Sequence, residues 1–521
     1  MKFPMLRFVA SLGLCCSLAG IAWAAPGGSA KISDAALEHA NSRPGEKIDV
    51  IVTFRTPPGH LARADVARLG GNVKRQFRLI PGLALSLPAR AVERLADRPG
   101  VEWVTLDLPL QFHAKKSKDS GGDPPSGDGD DNPSRFTGAG VTVGLLDSGV
   151  DSRHADLAGQ VIDEVNFVSG SQYSGDKWGH GTHVAGIIAG TGAASGEQYV
   201  GLATGAKIYS ARVLESDGSG LTSDVIAGIE HLVSNKTQYD IKVINLSLGH
   251  KVIEPAAQDP LVQAVEAAWD AGIVVVTSAG NYGNDGYGTV TSPGNSRRVI
   301  TVGSLTDWGT GNPNDDIVST YSSRGPTLGE HLVKPDLLAP GNKVASLNVF
   351  NSDLDKLFPE NRIYSANSNV PEYIYLSGTS MAAPKVTAVV AKMLEADPSL
   401  NPDTVKARLM RSATKPDVGD VFSTGAGLLD EEAALADSGW TEYAPSPAAY
   451  KDETSGEMGF DNTGVLWGGD EWSLAYIWSD SIIWSDSLVW GDSLIWSDSI
   501  VWGDSMIWSD TVTGQSALWG D

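Results

Sequence analysis

Cysteine is nearly missing from this chain: its 521 residues include two, Cys15 and Cys16, adjacent and close to the N-terminus. Both lie in a stretch that reads as a removable export signal. The mature chain would then hold no thiol and no disulfide, and its stability must come from a core, helped by bound ions. Basic residues are scarce as well, 39 Lys and Arg against 63 Asp and Glu for a formal net charge of −24. That balance argues against nucleic acid and anionic membrane surfaces as partners. After Lys451 there is no Lys or Arg at all. Beyond the first segment no apolar run is long enough to cross a bilayer, so no transmembrane segment is expected.

The expected organisation begins with a signal peptide over residues 1–24. Lys2 and Arg7 give its positive start, residues 8–21 its apolar stretch, and Ala22-Trp23-Ala24 a small-residue cleavage pattern before Ala25. The protein is therefore expected to be secreted. Residues 25–113 read as a small α+β unit: strands in IDVIVTF, LIPGLALSLP and VEWVTLDLP, with helices at 61–69 and 91–96. Residues 114–134 are rich in Gly, Pro, Ser and charge, and form an expected linker open to cleavage near 112–120. Residues 25–111 carry +3 and the chain after them −29, which favours their association. From 135 to 436, strand-like runs at 141–146, 207–213, 241–246, 273–277 and 299–303 alternate with helix-like runs at 182–190, 221–234 and 261–270. This pattern predicts a doubly wound α/β fold, a mainly parallel sheet with helices on both faces. A second linker (437–466) and a repeat tail (467–521) complete the chain.

Chemistry concentrates in the 135–436 region. Ser380 sits in SGTSMAAP, between a glycine-bearing turn and an apolar run over 381–393 that predicts a buried helix. A hydroxyl at a helix start lies among unpaired N–H groups that favour developing negative charge. A serine nucleophile needs a base, and the base needs an acid to fix its tautomer. His180 in GHGTHVAG precedes a small-residue helical run, and Asp147 in GLLDSG ends an apolar strand. Each sits where an element gives way to a loop, the usual position of catalytic groups around a parallel sheet. Asn281 follows another apolar strand in TSAGN, where its amide can donate to an oxyanion. His183, three residues after His180, would suit a metal pair, but the zinc helix spaces its histidines by four with a glutamate beside the first. It is read as structural.

DSG, HGTHVAG, SAGN and GTSMAAP, in that order, resemble the subtilisin-like serine proteases, the subtilases, over residues 135–436. The resemblance implies Asp147, His180 and Ser380 as a catalytic triad and Asn281 as an oxyanion donor. It implies Ser247, Leu248 and Gly249 as a strand that pairs with substrate backbone, and Ser278, Ala279 and Gly280 as the other wall of the primary pocket. Main-chain pairing of that kind reads an extended polypeptide, so the implied activity is a serine endopeptidase acting on proteins or peptides. The resemblance also implies that residues 25–113 are a prodomain that acts as an intramolecular inhibitor until removed by self-processing. No cofactor is implied for catalysis, while structural calcium is common in the family. Two departures stand out: the run 347–375 is long for its place, and Lys385 stands where the family often has histidine.

From Trp478 a six-residue unit repeats, WSDSII, WSDSLV, WGDSLI, WSDSIV, WGDSMI and WSDTVT. Six is a multiple of two, so in extended chain Trp and Asp share a face, and stacked strands or a β-solenoid are expected. A stacked column of Asp480, Asp486, Asp492, Asp498, Asp504 and Asp510 repels itself unless solvated, protonated or bridged by cations, which leads to the expectation that calcium orders the tail. Two other classes of function stay open at this point. The chain could be an adhesion or assembly protein built around its repeats, or a metal-dependent hydrolase using His180 and His183.

Overall fold

In a computed structural model, the apolar run ending at Asp147 becomes a strand, Thr142–Asp147, at the heart of the molecule, and all six of its residues are buried. The structure describes residues 28–112, 135–171, 173, 175–310, 315–364, 369–415, 420–451, 458–467, 488–492 and 506–509. The expected signal segment, the 114–134 linker and most of the repeats lie outside them.

Residues before 107 form a four-stranded antiparallel sheet in the order β2-β3-β1-β4, with β1 Lys47–Phe54, β2 Asn72–Gln76, β3 Gly82–Pro88 and β4 Val101–Leu106. Helices α1 Asp34–Ser42, α2 His60–Arg68 and α3 Val92–Ala96 accompany it. The two-residue period of β1 decides what each face meets. Val50 and Val52 join this unit's own core, while Ile51 packs with Phe77, Ile80 and Leu110 into the large core that follows. Polar anchors fix the junction. Asp107 accepts from Ser223 N and Oγ, Arg75 pairs with Asp224, and Trp103 Nε1 donates to Glu254 at 2.6 Å.

After these, β5 Pro109–Phe112 leaves the small sheet and pairs antiparallel with two short strands of the larger unit, β9 Ser219–Leu221 and β11 Leu248–Gly249. The main sheet runs β14-β13-β12-β10-β6-β8-β7, with β15 also on β13. Its strands are β6 Thr142–Asp147, β7 Val161–Asn166, β8 Lys207–Arg212, β10 Ile241–Leu246, β12 Val274–Ser278, β13 Ile300–Thr306, β14 Ile317–Val318 and β15 Leu337–Pro340. All neighbours are parallel except β14. Buried on both faces, such strands read as continuous apolar runs, which is why they were visible in the sequence.

Helices α4 His180–Ala189, α5 Thr222–Tyr239, α6 Pro260–Asp270, α8 Thr379–Ala396 and α9 Pro402–Ser412 accompany the sheet. α8 is buried all round from Thr379 to Leu394, as a helix through a core must be. The long run before Ser380 folds as α7 Asp353–Leu357 and a small sheet β16-β18-β17, made of Val344–Leu347, Tyr373–Leu376 and Arg362–Ile363. Past the catalytic region, β19 Ala449–Lys451 pairs with β20 Met458–Phe460. In the tail, β21 Leu488–Asp492 runs parallel to β22 Met506–Ser509, with Leu488 opposite Met506 and Val489 opposite Ile507. The aspartates other than Asp492 lie outside the described residues. No helix among the described residues is long and apolar enough to cross a membrane.

Candidate active site

The parallel strands end along one edge, and the candidate groups gather there. Asp147 closes β6, Asn281 follows β12, Ser247 stands between β10 and β11, His180 opens α4 and Ser380 is the second residue of α8. Gly179, immediately before α4, has φ of 101°, a conformation natural to glycine, and this turns the chain so that His180 enters the helix facing β6.

His180 Nδ1 lies 2.8 Å from Asp147 Oδ1 and 3.0 Å from Oδ2, with both side chains buried. An ionised carboxylate only accepts, so this contact assigns the proton to Nδ1 and leaves Nε2 as the basic nitrogen. Asp147 Oδ1 also accepts from Ser148 N at 2.7 Å. Ser380 Oγ donates to the Ser247 carbonyl at 3.0 Å, and Ser247 Oγ returns a bond to the Ser380 carbonyl at 3.1 Å. Behind them Asn245 Nδ2 donates to Ser247 Oγ, and Thr387 Oγ1 donates to Asn245 Oδ1, tying α8 to β10.

Asn281 is held by one end. Its Oδ1 accepts from Thr379 N and Oγ1, both at 3.0 Å, which orients the amide so that Nδ2 is the free end. Nδ2 is buried and has no hydrogen-bond partner among the described residues. The amide is anchored through Oδ1 on Thr379, one residue before Ser380, where the first turn of α8 leaves N–H groups without intrahelical partners. The wall residues Ser278, Ala279 and Gly280 are buried, and Gly280 has φ of 104°. A Cβ there would come within 2.7 Å of Thr291 and 2.9 Å of Ser323 Oγ, so a larger residue would push the wall out of place.

Leu248 and Gly249, expected to pair with substrate backbone, pair in this structure with the chain's own β5: Phe112 lies opposite Leu248 and Gln111 opposite Gly249. His183 is fully buried, and its Nε2 contacts the Val344 and Ile374 carbonyls at 3.2 and 3.1 Å, which ties α4 to β16 and β18. Burial, aided by the nearby His180, pushes it down to about 3, so it stays neutral. No group of three or more His, Cys, Asp or Glu side chains among the described residues is arranged to hold a metal ion.

Sequence reasoning missed a second acid. Asp176 is fully buried four residues before His180, and its carboxylate accepts from Ser148 Oγ, Gly179 N, and Thr182 N and Oγ1. Burial pushes its carboxyl up, the Gly179 and Thr182 hydrogen bonds offset part of that, and the charge of Asp147 adds to the push, so the net direction is upward. The 347–375 segment also touches this loop: Asp353 N and Leu354 N donate to the Lys177 and Trp178 carbonyls. That segment thus braces the turn that delivers His180.

Comparison with known proteins accords with this geometry. Residues 138–427 match the model described as Peptidase_S8, Subtilase family. The chain is 42% identical over 307 residues to the serine protease AprX of Bacillus subtilis, covering 58% of this chain and 67% of that protein. It is 37% identical over 300 residues to subtilisin DY of Bacillus licheniformis, covering 57% of this chain and 92% of that protein. Among solved structures, fervidolysin from Fervidobacterium pennivorans, described as a keratinolytic enzyme related to subtilisin, aligns with a TM-score of 0.59 at 24% identity. That alignment spans 78% of this chain and 62% of the other, and it speaks to the fold alone.

Proposed function

The chain belongs to the subtilase family and is a subtilisin-like serine endopeptidase, and from that premise we propose that Asp147, His180 and Ser380 carry out the reaction, with Asn281 serving the oxyanion. The observation that carries this reading is the buried His180–Asp147 contact of 2.8 Å, at the same strand edge as a helix-start serine. Ser380 exchanges its bond to the Ser247 carbonyl for attack on the scissile carbonyl carbon. His180 Nε2 takes the hydroxyl proton and later gives it to the leaving amine, while Asp147 holds the ring and stabilises the imidazolium. Negative charge then grows on the carbonyl oxygen, where Asn281 Nδ2 and the Ser380 N–H can donate to it. Because Nδ2 is held in place from its other end, it needs little reorganisation as that charge appears. Catalysis by these groups requires no cofactor.

The substrate reading is polypeptide. β9 and β11 offer two strand edges that receive an extended chain between them, and the occupant in this structure is β5. Residues 25–113 would therefore act as an intramolecular inhibitor in a secreted precursor, with β5 filling the cleft and self-processing cutting near 112–120. The test is casein hydrolysis together with terminal mass spectrometry of the wild-type chain and its Ser380→Ala form. The reading expects the variant to lose casein cleavage and to keep residues 25–113 attached. A variant that still cleaves casein would sink it.

A further inference from the structure

We propose that Asp176 is a positioning residue for the reaction, a second buried carboxylate that fixes Asp147 and His180 against each other through the Ser148 hydroxyl and the first turn of α4. The proposal rests on the catalytic roles argued above for Asp147, His180 and Ser380.

The geometry is specific. Asp176 Oδ1 accepts from Ser148 Oγ at 2.9 Å and Gly179 N at 2.7 Å, and Oδ2 accepts from Thr182 N at 2.8 Å and Thr182 Oγ1 at 2.7 Å. All four donors come from residues directly beside Asp147 or His180 in the chain or two positions along α4. One carboxylate thus clips the end of β6 to the start of α4, the two elements whose separation sets the His180–Asp147 distance.

Ser148 is the link. Its Oγ accepts from Gly181 N at 3.0 Å and lies 2.9 Å from Asp176 Oδ1 and 3.2 Å from Asp147 Oδ1. A hydroxyl has one proton for those two acceptors. Directed at Asp176, by the shorter contact, it leaves Asp147 Oδ1 to Ser148 N and His180 Nδ1. Directed at Asp147, it adds a further donor and drains charge from the carboxylate that must stabilise the imidazolium. Asp176 therefore preserves the charge on Asp147 by holding the competing proton, and it adds a negative charge one hydroxyl away. A carboxylate is required for this, because all four of its contacts are donors. An asparagine has one acceptor oxygen, and its amide group would face an N–H or a hydroxyl.

Among the described residues, the charged and titratable groups around Asp176 and Ser148 include Asp147 on β6, His180 bonded to it, His183 one turn along α4, which is neutral, and Asp151 after β6, whose N–H donates to Thr182 Oγ1 and whose carboxylate pairs with Arg153. α7 and its flanking residues bring backbone and the Ser352 side chain against the 177–179 turn, with Asp353 and Lys356 on its more exposed side.

The test compares Asp176→Asn, Ser148→Ala and their double variant by steady-state hydrolysis of a chromogenic peptide across pH, with thermal unfolding measured alongside. Asp176→Asn should lower kcat about 10- to 100-fold while KM changes little. The acid limb of kcat/KM should move to lower pH by about half a unit or more, because the imidazolium loses support. The two single effects should not add, since both act through one hydroxyl. A purely structural role would reduce the amount of folded enzyme and leave the acid limb where it was, and that result overturns the proposal. If Asp176→Asn does not fold, Ser148→Ala decides through kcat: it removes the link while Asp176 keeps Gly179 and Thr182, so kcat should fall, and an unchanged kcat would refute the wiring. His180→Ala serves as the control. Full activity there sinks the underlying catalytic reading and the proposal with it, whereas lost activity with an unmoved limb in Asp176→Asn overturns the positioning role alone.

Discussion

Gly181 follows the candidate base, and adding one methyl group to it should cost most of the rate. A Cβ built there would sit 2.1 Å from the Gly149 carbonyl oxygen and 3.0 Å from Asp147 Cβ. The first neighbour is backbone, in the turn that follows β6, and cannot swing aside as a side-chain tip would. Restoring even a 3.0 Å contact requires the start of α4 and the end of β6 to part by roughly 1 Å, a displacement that typically costs about 10²-fold in rate. The same shift would stretch the 2.8 Å His180–Asp147 contact to about 3.8 Å, past the range of a hydrogen bond. Overpacking should also cost about 1–3 kcal/mol of stability. The assay is kcat on a soluble peptide substrate, with the unfolding midpoint read in parallel. Gly464→Ala is the control, because a Cβ there meets nothing within 4 Å. A Gly181→Ala enzyme whose kcat stays within about threefold of wild type would refute the argument that this close approach sets the catalytic distance.

Asn281→Ala should leave KM nearly unchanged and lower kcat by about 10²–10³-fold, the effect known for an oxyanion donor in a subtilisin; steady-state kinetics with an unaltered kcat would contradict the role given to Nδ2. Burial, with the charge of Asp259 beside it, pushes Glu254 up to about 8, while its ordinary value is 4.5. The folded chain thus holds a proton that the unfolded chain releases between those values, so Glu254's contribution to stability falls as pH rises through that window. Thermal unfolding of the Ser380→Ala protein should show this decline, and Glu254→Gln should flatten it; an equal slope in both proteins would exclude Glu254 as the source. Calcium should increase the β signal in circular dichroism of the isolated 467–521 tail and a chelator should reverse it, and identical spectra would end the idea that cations bridge the repeated aspartates.

What the sequence disclosed and what it hid divide along physical lines. The central strands were legible because burial on both faces leaves an apolar run with no polar alternation, as in TVGLLD and VVVTS. Their bounds moved by a few residues, and α4 begins at His180 itself rather than at 182 because Gly179 supplies the turn. β2 was missed: NVKRQ alternates between half-buried and exposed residues at a sheet edge and offers no apolar signal. α1, with a mixed face and a Ser33 cap, was missed for a similar reason. The segments bearing Asp147, His180, Asn281 and Ser380 announced themselves through their glycine-flanked turns. Asp176 did not, since a lone aspartate before a turn reads as solvated, and its burial follows from the tertiary fold that brings Ser148, Gly179 and Thr182 around it. Lys334, Asp336 and Lys406 were hidden in the same way. Charged residues are presumed to face water, yet these three are fully buried and satisfy one another together with Thr301 and Ser446. The docking of β5 between β9 and β11 was partly legible, because the strand-pairing role of Leu248 and Gly249 was expected while the identity of the partner was not.

Labelling with a fluorophosphonate, followed by peptide mapping, tests the central claim most directly, because the reagent reacts far faster with a serine that a base has activated than with any other. The account predicts a single adduct on Ser380, forming at least about 10³-fold more slowly when His180 is replaced by alanine. An adduct on another residue, or one that forms on Ser380 at the same rate without His180, would contradict it.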